Sequence, residues 1–480
     1  MKWILFIFPY FAGLAMSLAP DMSLAQDVSL EEVEKELESE GFAPEKEAMT
    51  LTLQEAIARG LRKNSEQKIR AYQKEIVELN WKDAYEGFWF PQLSLTLNTS
   101  NHQVDSVYQD QENAQLPKTP SGFVGLEFEE YTIFNWGKDY LEYLNHKAVY
   151  KRQNQELKEK KRALRFQIIN QYFNLSRFKN IRSVKKSQLR HTSFIYRLSK
   201  EKLALGKIHR QEYLQAKGEF LRSHQEFQEV NAQVAVLEQA MAELLGDDLA
   251  TTYSLANQLK FVPLNIQKEE SLNFAHTAGP DYRQAKVDLE NANRSFEKTL
   301  KENLPLPEFT VRLGAYRRSF SDAGAQDRVT TYGDGRNVEV AASINMKWRV
   351  FGSGGFLNSR VKERSYFEKR IAEINFYETR RDINVGISTF HRQIRHLEER
   401  VEAAKARLKN AQVLFDTALD RYISGKTSFP NIKLVLDSLI NSEEDLESAK
   451  YEHLAQKLNL ANASGIDDFP GEKFDNLVLK

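Results

Sequence analysis

Ser424-Gly425-Lys426-Thr427 carries the closing letters of a phosphate-binding loop, in which backbone N–H groups cradle a phosphate and a lysine reaches its outer oxygens. That loop needs an upstream glycine where this chain has Asp420, and a preceding strand where the pattern here is helical. Gly352-Ser353-Gly354-Gly355 likewise reads as a strand-to-helix junction. His391 and His396 miss the four-residue spacing that puts two imidazoles on one helix face, and no acidic ligand is arranged with them. No nucleophile stands beside a recognisable base. The chain has no cysteine, which removes disulfides, thiolate metal sites and a lipid-anchored N-terminal cysteine. The expectation is a protein with no catalytic residues, no cofactor and no metal.

Charge is equally uninformative about a ligand. Lys plus Arg and Asp plus Glu each number 67, so no overall field recruits nucleic acid. The run Lys158-Glu159-Lys160-Lys161-Arg162 reads as the solvated face of a helix.

The elements carry the information instead. Lys2, the apolar run from Trp3 to Leu18 and Ser23-Leu24-Ala25 form a signal-peptide pattern over residues 1–25, with a second possible cleavage site at Ala19. An uncleaved anchor is the alternative, although the run is short for a span and contains Pro9. Residues 26–50 form an acidic N-terminal extension. No later segment is apolar enough for a membrane helix, so any later contact with a bilayer must use strands.

Two long helical hairpins dominate the rest. The first leaves a strand at Phe134-Asn135-Trp136-Gly137-Lys138, turns at Leu205-Gly206-Lys207 and returns to Gly246. No proline interrupts Lys138 to Leu203, enough chain for a rod of roughly 100 Å. The second leaves at Val350-Phe351-Gly352, turns at Ser424-Gly425-Lys426 and returns to Gly465. Each follows a helix and two strands. Leu51-Thr52-Leu53-Gln54-Glu55-Ala56 opens the first such helix with a capping-box arrangement, and apolar spacing carries it to about Phe88, before Pro91. Pro280 opens its counterpart. Pro91 recurs as Pro307, Gly137 as Gly354 and Gly206 as Gly425, offsets of about 216 to 219 residues that mark a duplication. The expected divisions are a first repeat over 51–246, an irregular connector over 247–270, a second repeat over 271–465 and a tail over 466–480.

In the second rod Ile383, Ile387, Phe390, Ile394, Leu397, Val401, Ala404, Leu408, Ala411, Phe415, Ala418 and Tyr422 step by three and four without a fault, which predicts a coiled-coil seam. The first rod keeps Leu164, Ile168, Leu175, Phe178, Leu189, Tyr196 and Leu203 but has polar residues at other steps, so the two rods should meet different neighbours.

The strands alternate with period two. Leu93, Leu95 and Leu97 predict one apolar face, as do Val124, Leu126 and Phe128, then Phe309, Val311 and Leu313, and finally Val338 to Trp348. Such strands resemble those of outer-membrane barrels, apolar toward lipid and polar toward a lumen. Sheet edges in hydrocarbon must be closed, the smallest such barrels have about eight strands, and four strands per chain cannot close alone. Several copies must then share a barrel. A soluble sandwich or one-sided sheet would also alternate, but gives no reason for the rods.

The opening Leu-Thr-Leu-Gln-Glu-Ala, Phe90-Pro91-Gln92-Leu93-Ser94-Leu95, Phe134-Asn135-Trp136-Gly137-Lys138 and the two Gly-Lys turns, in that order and largely repeated, resemble the TolC-like outer-membrane efflux channels from Leu51 to Ser464. The resemblance implies a mainly α fold with membrane β: a duplicated protomer of a homotrimer with a 12-stranded outer-membrane β-barrel, four strands per chain, continuous with a long periplasmic α-helical barrel. It implies an exit duct of a tripartite efflux or type I secretion system, fed by an inner-membrane pump through a periplasmic adaptor. It makes Leu205, Gly206, Lys207, Ser424, Gly425 and Lys426 the adaptor-docking tip. The family often has an aspartate six residues after each glycine. Here those positions are Glu212 and Asn431, so an acidic ring would be incomplete. Lys202 and Arg421, four before each glycine, would pair with Glu212 or Asp437 as a periplasmic gate. The competing functions are a periplasmic coiled-coil scaffold or adaptor without a barrel, which leaves the amphipathic strands unused, and an exported hydrolase, which explains neither strands nor rods.

Overall fold

The computed structural model describes residues 48–99, 122–320, 339–348 and 359–476. The signal peptide, all but the end of the acidic extension, residues 100–121 and 321–338 between the paired strands, with Val338 among them, and the Gly352-Ser353-Gly354-Gly355 junction lie outside the described residues. In chain order the elements are β1 (Met49–Leu51), α1 (Leu53–Lys63), α2 (Ser65–Trp89), β2 (Leu93–Thr99), β3 (Gly122–Phe134), α3 (Lys138–Ala204), α4 (Arg210–Leu245) and β4 (Tyr253–Leu255). There follow α5 (Lys268–Thr277), α6 (Pro280–Glu302), β5 (Glu308–Phe320), β6 (Glu339–Lys347), α7 (Ser359–Ile423) and α8 (Phe429–Ser464). Helix, two strands and a long helical hairpin thus occur twice. The hairpin segment Lys185–Glu229 packs as one unit and the remaining described chain, Ala48–Val184 with Val230–Lys480, as another.

Local chemistry sets most boundaries. Glu55 N–H donates to Thr52 Oγ1 at 3.3 Å and Thr52 N–H to Glu55 Oε2 at 3.1 Å, a closed capping box at the start of α1. The expected single helix to Phe88 is instead two helices meeting at Asn64. This buried residue ends α1 with its own N–H on Gly60 O, accepts Glu66 N–H at the start of α2, and donates Nδ2–H to Leu244 O at 3.0 Å. Apolar periodicity runs through such a break, because one residue at extended angles changes direction without interrupting the spacing.

The connector is also more ordered than expected. It holds β4, which pairs in parallel with β1, Met49 opposite Tyr253 and Leu51 opposite Leu255. Tyr172 OH donates to Leu51 O at 3.0 Å, and Asn257 Oδ1 accepts Leu53 N–H at 2.9 Å. Burial pushes the Tyr172 phenol up to about 12, so it remains a donor. The core of this unit gathers α1, α3, α4, β4, α7 and α8 around Leu53, Ile168, Tyr172, Met241, Ile394 and Leu458. In the other unit Leu189 and Tyr196 of α3 pack on Phe220 and Phe227 of α4, Tyr196 stacking on Phe220 at 5.5 Å.

The seam predicted along α7 holds: Ile387, Ile394, Leu397, Val401, Ala404, Ala411, Phe415 and Tyr422 are buried and the other four positions half-buried. On α3 two polar steps, Thr192 and Ser199, are buried and donate to their own helix, to Gln188 O at 3.0 Å and Ile195 O at 2.7 Å.

The larger sheet has the order β2-β3-β5-β6, antiparallel throughout. Its register places Leu95, Leu126, Ala315 and Val340 in one row across the four strands, with Leu93, Phe128, Leu313 and Ala342 in the next. The alternating apolar sets therefore share one face. Within the described chain nothing covers it: Leu95 is 73% exposed and Ile344 75%. Four helices continue the strands in the same order, α2-α3-α6-α7. Trp81 of α2 stacks on Tyr150 of α3 at 5.2 Å, Lys298 of α6 meets Glu142 of α3 at 2.6 Å, and Phe296 of α6 lies 6.0 Å from Tyr366 of α7.

The C-terminal segment is tied down by two cations. Arg165 on α3 reaches Asp468 at 2.9 Å and Asp475 at 2.6 Å, while Lys457 on α8 donates to Glu472 at 2.6 Å and to Val262 O of the connector at 3.0 Å. One turn before Lys457, buried His453 faces Phe261 at 4.9 Å and Glu398 at 3.4 Å, whose Oε1 already accepts Leu264 N–H at 2.6 Å. Burial, reinforced by the Lys457 charge, lowers the His453 imidazole to about 3. Between its ordinary value of 6.5 and about 3 the unfolded chain binds a proton that the folded chain does not, so stability rises with pH across that window. Acidifying from pH 7 to pH 5 is expected to cost about 2 kcal/mol through this residue. His453→Gln should flatten that part of the denaturation-versus-pH curve, and an unchanged slope would assign it elsewhere.

Candidate functional site

The two hairpin turns are built alike. After α3, Gly206 adopts φ 66°, its N–H donates to Leu203 O at 2.9 Å and Lys207 N–H donates to Lys202 O at 2.9 Å. After α7, Gly425 adopts φ 71°, with Gly425 N–H on Tyr422 O at 3.1 Å and Lys426 N–H on Arg421 O at 2.8 Å. This is the Schellman termination, which satisfies the last carbonyls of a helix through a left-handed residue. A Cβ at either glycine would meet nothing within 4 Å, so only backbone angle demands glycine there.

The side chains of the turns are exposed. Leu205 is 69% exposed, and Lys207, Ser424 and Lys426 also face solvent. Ser424 Oγ donates to Asp420 O at 2.8 Å. The supposed phosphate-loop letters are therefore a helix end.

At the first turn Lys202 and Glu212 interact electrostatically. Partial burial pushes the Lys202 ammonium down, the Glu212 carboxylate opposes that shift, and Lys207 adds to it. Glu212 sits in the first turn of α4, where the helix dipole favours a carboxylate. At the second turn Asn431 occupies the matching place in α8 and donates Nδ2–H to Thr427 Oγ1 at 3.3 Å. Asp437 is engaged by Lys433 at 2.7 Å, one helical turn away, rather than by Arg421. Arg421 makes no side-chain ion pair among the described residues. The two turns thus share a backbone design and differ in charge.

A second feature, missed from sequence, lies where strands become helices. Trp81 and Phe88 on α2 meet Tyr140, Tyr143 and Tyr150 on α3, Phe88 stacking on Tyr143 at 4.7 Å, while Tyr85 and Trp89 extend the cluster along α2 itself. Trp136 turns the corner between β3 and α3 at φ 62°, and its Nε1–H donates to Pro307 O at 3.0 Å. Trp89, Phe90, Phe134, Trp136, Tyr140 and Trp348 remain substantially exposed. The helical spacing of the α2 aromatics was the available signal. It did not say that the α3 tyrosines would join them.

Residues 85–247 match the family model described as outer membrane efflux protein. Outer membrane protein TolC of Escherichia coli (strain K12) is 21% identical over 183 residues, 38% of this chain and 37% of that relative. The match to this curated relative thus spans little more than a third of its length. Three solved structures share the fold over most of both chains. CusC has a TM-score of 0.70 at 14% identity, covering 89% of this chain and 96% of its own. The outer membrane protein VceC of Vibrio cholerae has 0.69 at 16%, covering 88% and 96%. The CmeC outer membrane channel of Campylobacter jejuni has 0.69 at 16%, covering 90% and 87%.

Proposed function

We propose that this chain, which carries the TolC-like fold and matches the outer membrane efflux protein family, is the outer-membrane exit duct of a tripartite efflux or type I secretion system. Three copies close a 12-stranded barrel in the outer membrane and a helical barrel that extends into the periplasm. An inner-membrane pump supplies substrate and a periplasmic adaptor links the two.

The observation that carries this reading is the four-stranded sheet with one exposed apolar face and two open edges, β2 and β6. Unpaired edge groups in hydrocarbon cost several kcal/mol each, which neighbouring copies remove by pairing β2 with β6. The helix layer repeats the logic. Its edge helix α2 exposes Ile69, Tyr72, Ile76 and Leu79, and the opposite edge α7 exposes Phe367, Ile371 and Ile374, both at coiled-coil spacing. A stripe on each edge suits a head-to-tail ring. The exposed aromatics where strands meet helices suit the membrane–water boundary.

Purified oligomers in a planar bilayer should conduct. Absence of channels under every condition, including neutralised turn charges, would overturn the duct. The protein should also leave membranes with detergent and not with alkali, whereas a periplasmic scaffold would leave with alkali.

The turns at Leu205, Gly206, Lys207 and Ser424, Gly425, Lys426 are the adaptor-docking tip in this reading, and Lys202, Glu212, Arg421, Asn431 and Asp437 the charged residues at the gate. Lys202 and Glu212 are only half-buried, and an ion pair that water still reaches contributes about 0–1 kcal/mol, so the two hold a pore shut only in several copies at once. Gly206→Val with Gly425→Val forces branched side chains into left-handed angles at about 1–2 kcal/mol each. Export should fall roughly tenfold, the equivalent of 1.4 kcal/mol in docking, with oligomer yield unchanged. Undiminished export would remove the tip assignment.

A further inference from the structure

Between α2, β3 and α3 lies a cleft of about 600 Å³, within the range of about 300–1,000 Å³ that takes a drug-sized molecule. Its walls combine two chemistries. Trp89, Phe134 and Tyr140 line it and remain exposed, beside Phe88 stacked on Tyr143 at 4.7 Å. The Tyr131 hydroxyl is taken up by Phe88 O at 3.1 Å and Trp89 O at 3.3 Å, so its contribution to the wall is apolar. The cleft also holds three carboxylates, on Glu130, Asp139 and Glu142, and among the described residues no lysine or arginine lines it.

The carboxylates are not equally committed. Glu142 is held by Lys298 at 2.6 Å, and Glu130 accepts the Thr310 hydroxyl at 2.6 Å. Asp139 N–H donates to Asn135 Oδ1 at 3.3 Å, whereas its carboxylate makes no ion pair among the described residues. Of the other lysines nearby, Lys301 lies beside Gly137 but pairs with Glu297 at 3.1 Å, and Lys138 lines the adjoining smaller cavity, which Asp139 also borders. Among the described residues no three acidic groups gather closely enough to hold a metal ion. Carboxylates spread along an aromatic wall suit instead a cation whose charge is carried on a bulky apolar body. Ring faces attract such a cation and carboxylates complement its charge, while an anion of the same shape is repelled.

We propose that this cleft binds an amphipathic organic cation, with its charge toward Asp139, Glu130 and Glu142 and its apolar body against Trp89, Phe134 and Tyr140. Recognition of the cation does not depend on the duct reading.

The test is calorimetric titration of the full-length, detergent-purified protein with tetraphenylphosphonium and with tetraphenylborate, ions of one shape and opposite charge, each against a blank of the same detergent. The cation should bind about tenfold tighter than the anion. Glu130→Gln with Asp139→Asn should weaken the cation about tenfold and should not weaken the anion. Trp89→Leu with Tyr140→Leu, which keeps apolar area and removes the rings, should also weaken the cation about tenfold, and Tyr140→Phe should keep it. None of the four residues is buried, and an unchanged melting temperature will show that each variant folds. Equal affinity for the two ions, or unchanged cation affinity in both double variants, would overturn the site. Loss in the carboxylate variant alone would overturn it too, since any small cation could then fill the cleft. Conductance reports on the duct separately: absence of channels with ion discrimination intact counts against the duct alone, and the reverse against this site alone.

Discussion

Leu126→Arg should abolish the detergent-resistant oligomer and the conductance together. Leu126 lies on β3, an inner strand, between Leu95 and Ala315 on the apolar face, and is 45% exposed in the single chain. In the proposed duct this position faces hydrocarbon, where an arginine costs about 2–4 kcal/mol near the bilayer midplane, and a threefold assembly would carry that cost three times. The paired control is Asn345→Lys, on the opposite face of β6 across from Thr310. On the face that the proposed duct turns to its lumen, it should assemble normally and alter only ion selectivity. Membrane fractionation of the two variants reads the contrast. If Leu126→Arg assembled and Asn345→Lys did not, the two faces would be assigned the wrong way round.

The second large effect is at the C-terminal clasp. Lys457 and Glu472 are both buried, their side chains 2% and 6% exposed, and the lysine also holds Val262 O of the connector. Desolvation lowers the Lys457 ammonium, while Glu472 and Glu398 oppose that shift. Lys457→Met strands a buried carboxylate and should cost about 3–5 kcal/mol. Lys457→Met with Glu472→Leu removes both charges and should recover most of that loss, leaving about 1 kcal/mol for the orphaned Val262 carbonyl. Chemical denaturation of the single and double variants measures the difference. A double variant as unstable as the single would show that packing, not the stranded charge, sets the effect. The single variant should also expose residues 465–476 to protease.

How far the chain could be read depended on whether a signal was local. Ile383 to Tyr422 predicted a seam, and every position of it is at least half-buried, because a helix fixes which residues share a face. Thr52 with Glu55 closes its own capping box, and Gly206 and Gly425 sit at left-handed helix ends, since each motif spans only a few residues. The strand alternation implied one apolar face, and the register confirms it across all four strands. The break at Asn64 was missed because its side chain is answered by Leu244, far along the chain. Pairing of β1 with β4 was missed for the same reason, as strands of three residues carry no period of their own. Beyond the second turn, Asp437 pairs with Lys433 one helical turn away and not with Arg421, since an i, i+4 partner needs no long-range approach.

Sequence alone therefore determined the duplicated order of helix, strands and hairpin, which face of each element is apolar, and where the rods end. Those properties follow from backbone geometry and spacing, which act over a few residues. Tertiary structure alone decided that the connector and C-terminal segment are strapped down by Lys457 and Arg165, that Thr192 and Ser199 are buried, and that aromatics of α2 and α3 meet where strands become helices. Such meetings join residues far apart in the chain, and no repeating pattern along the sequence encodes them.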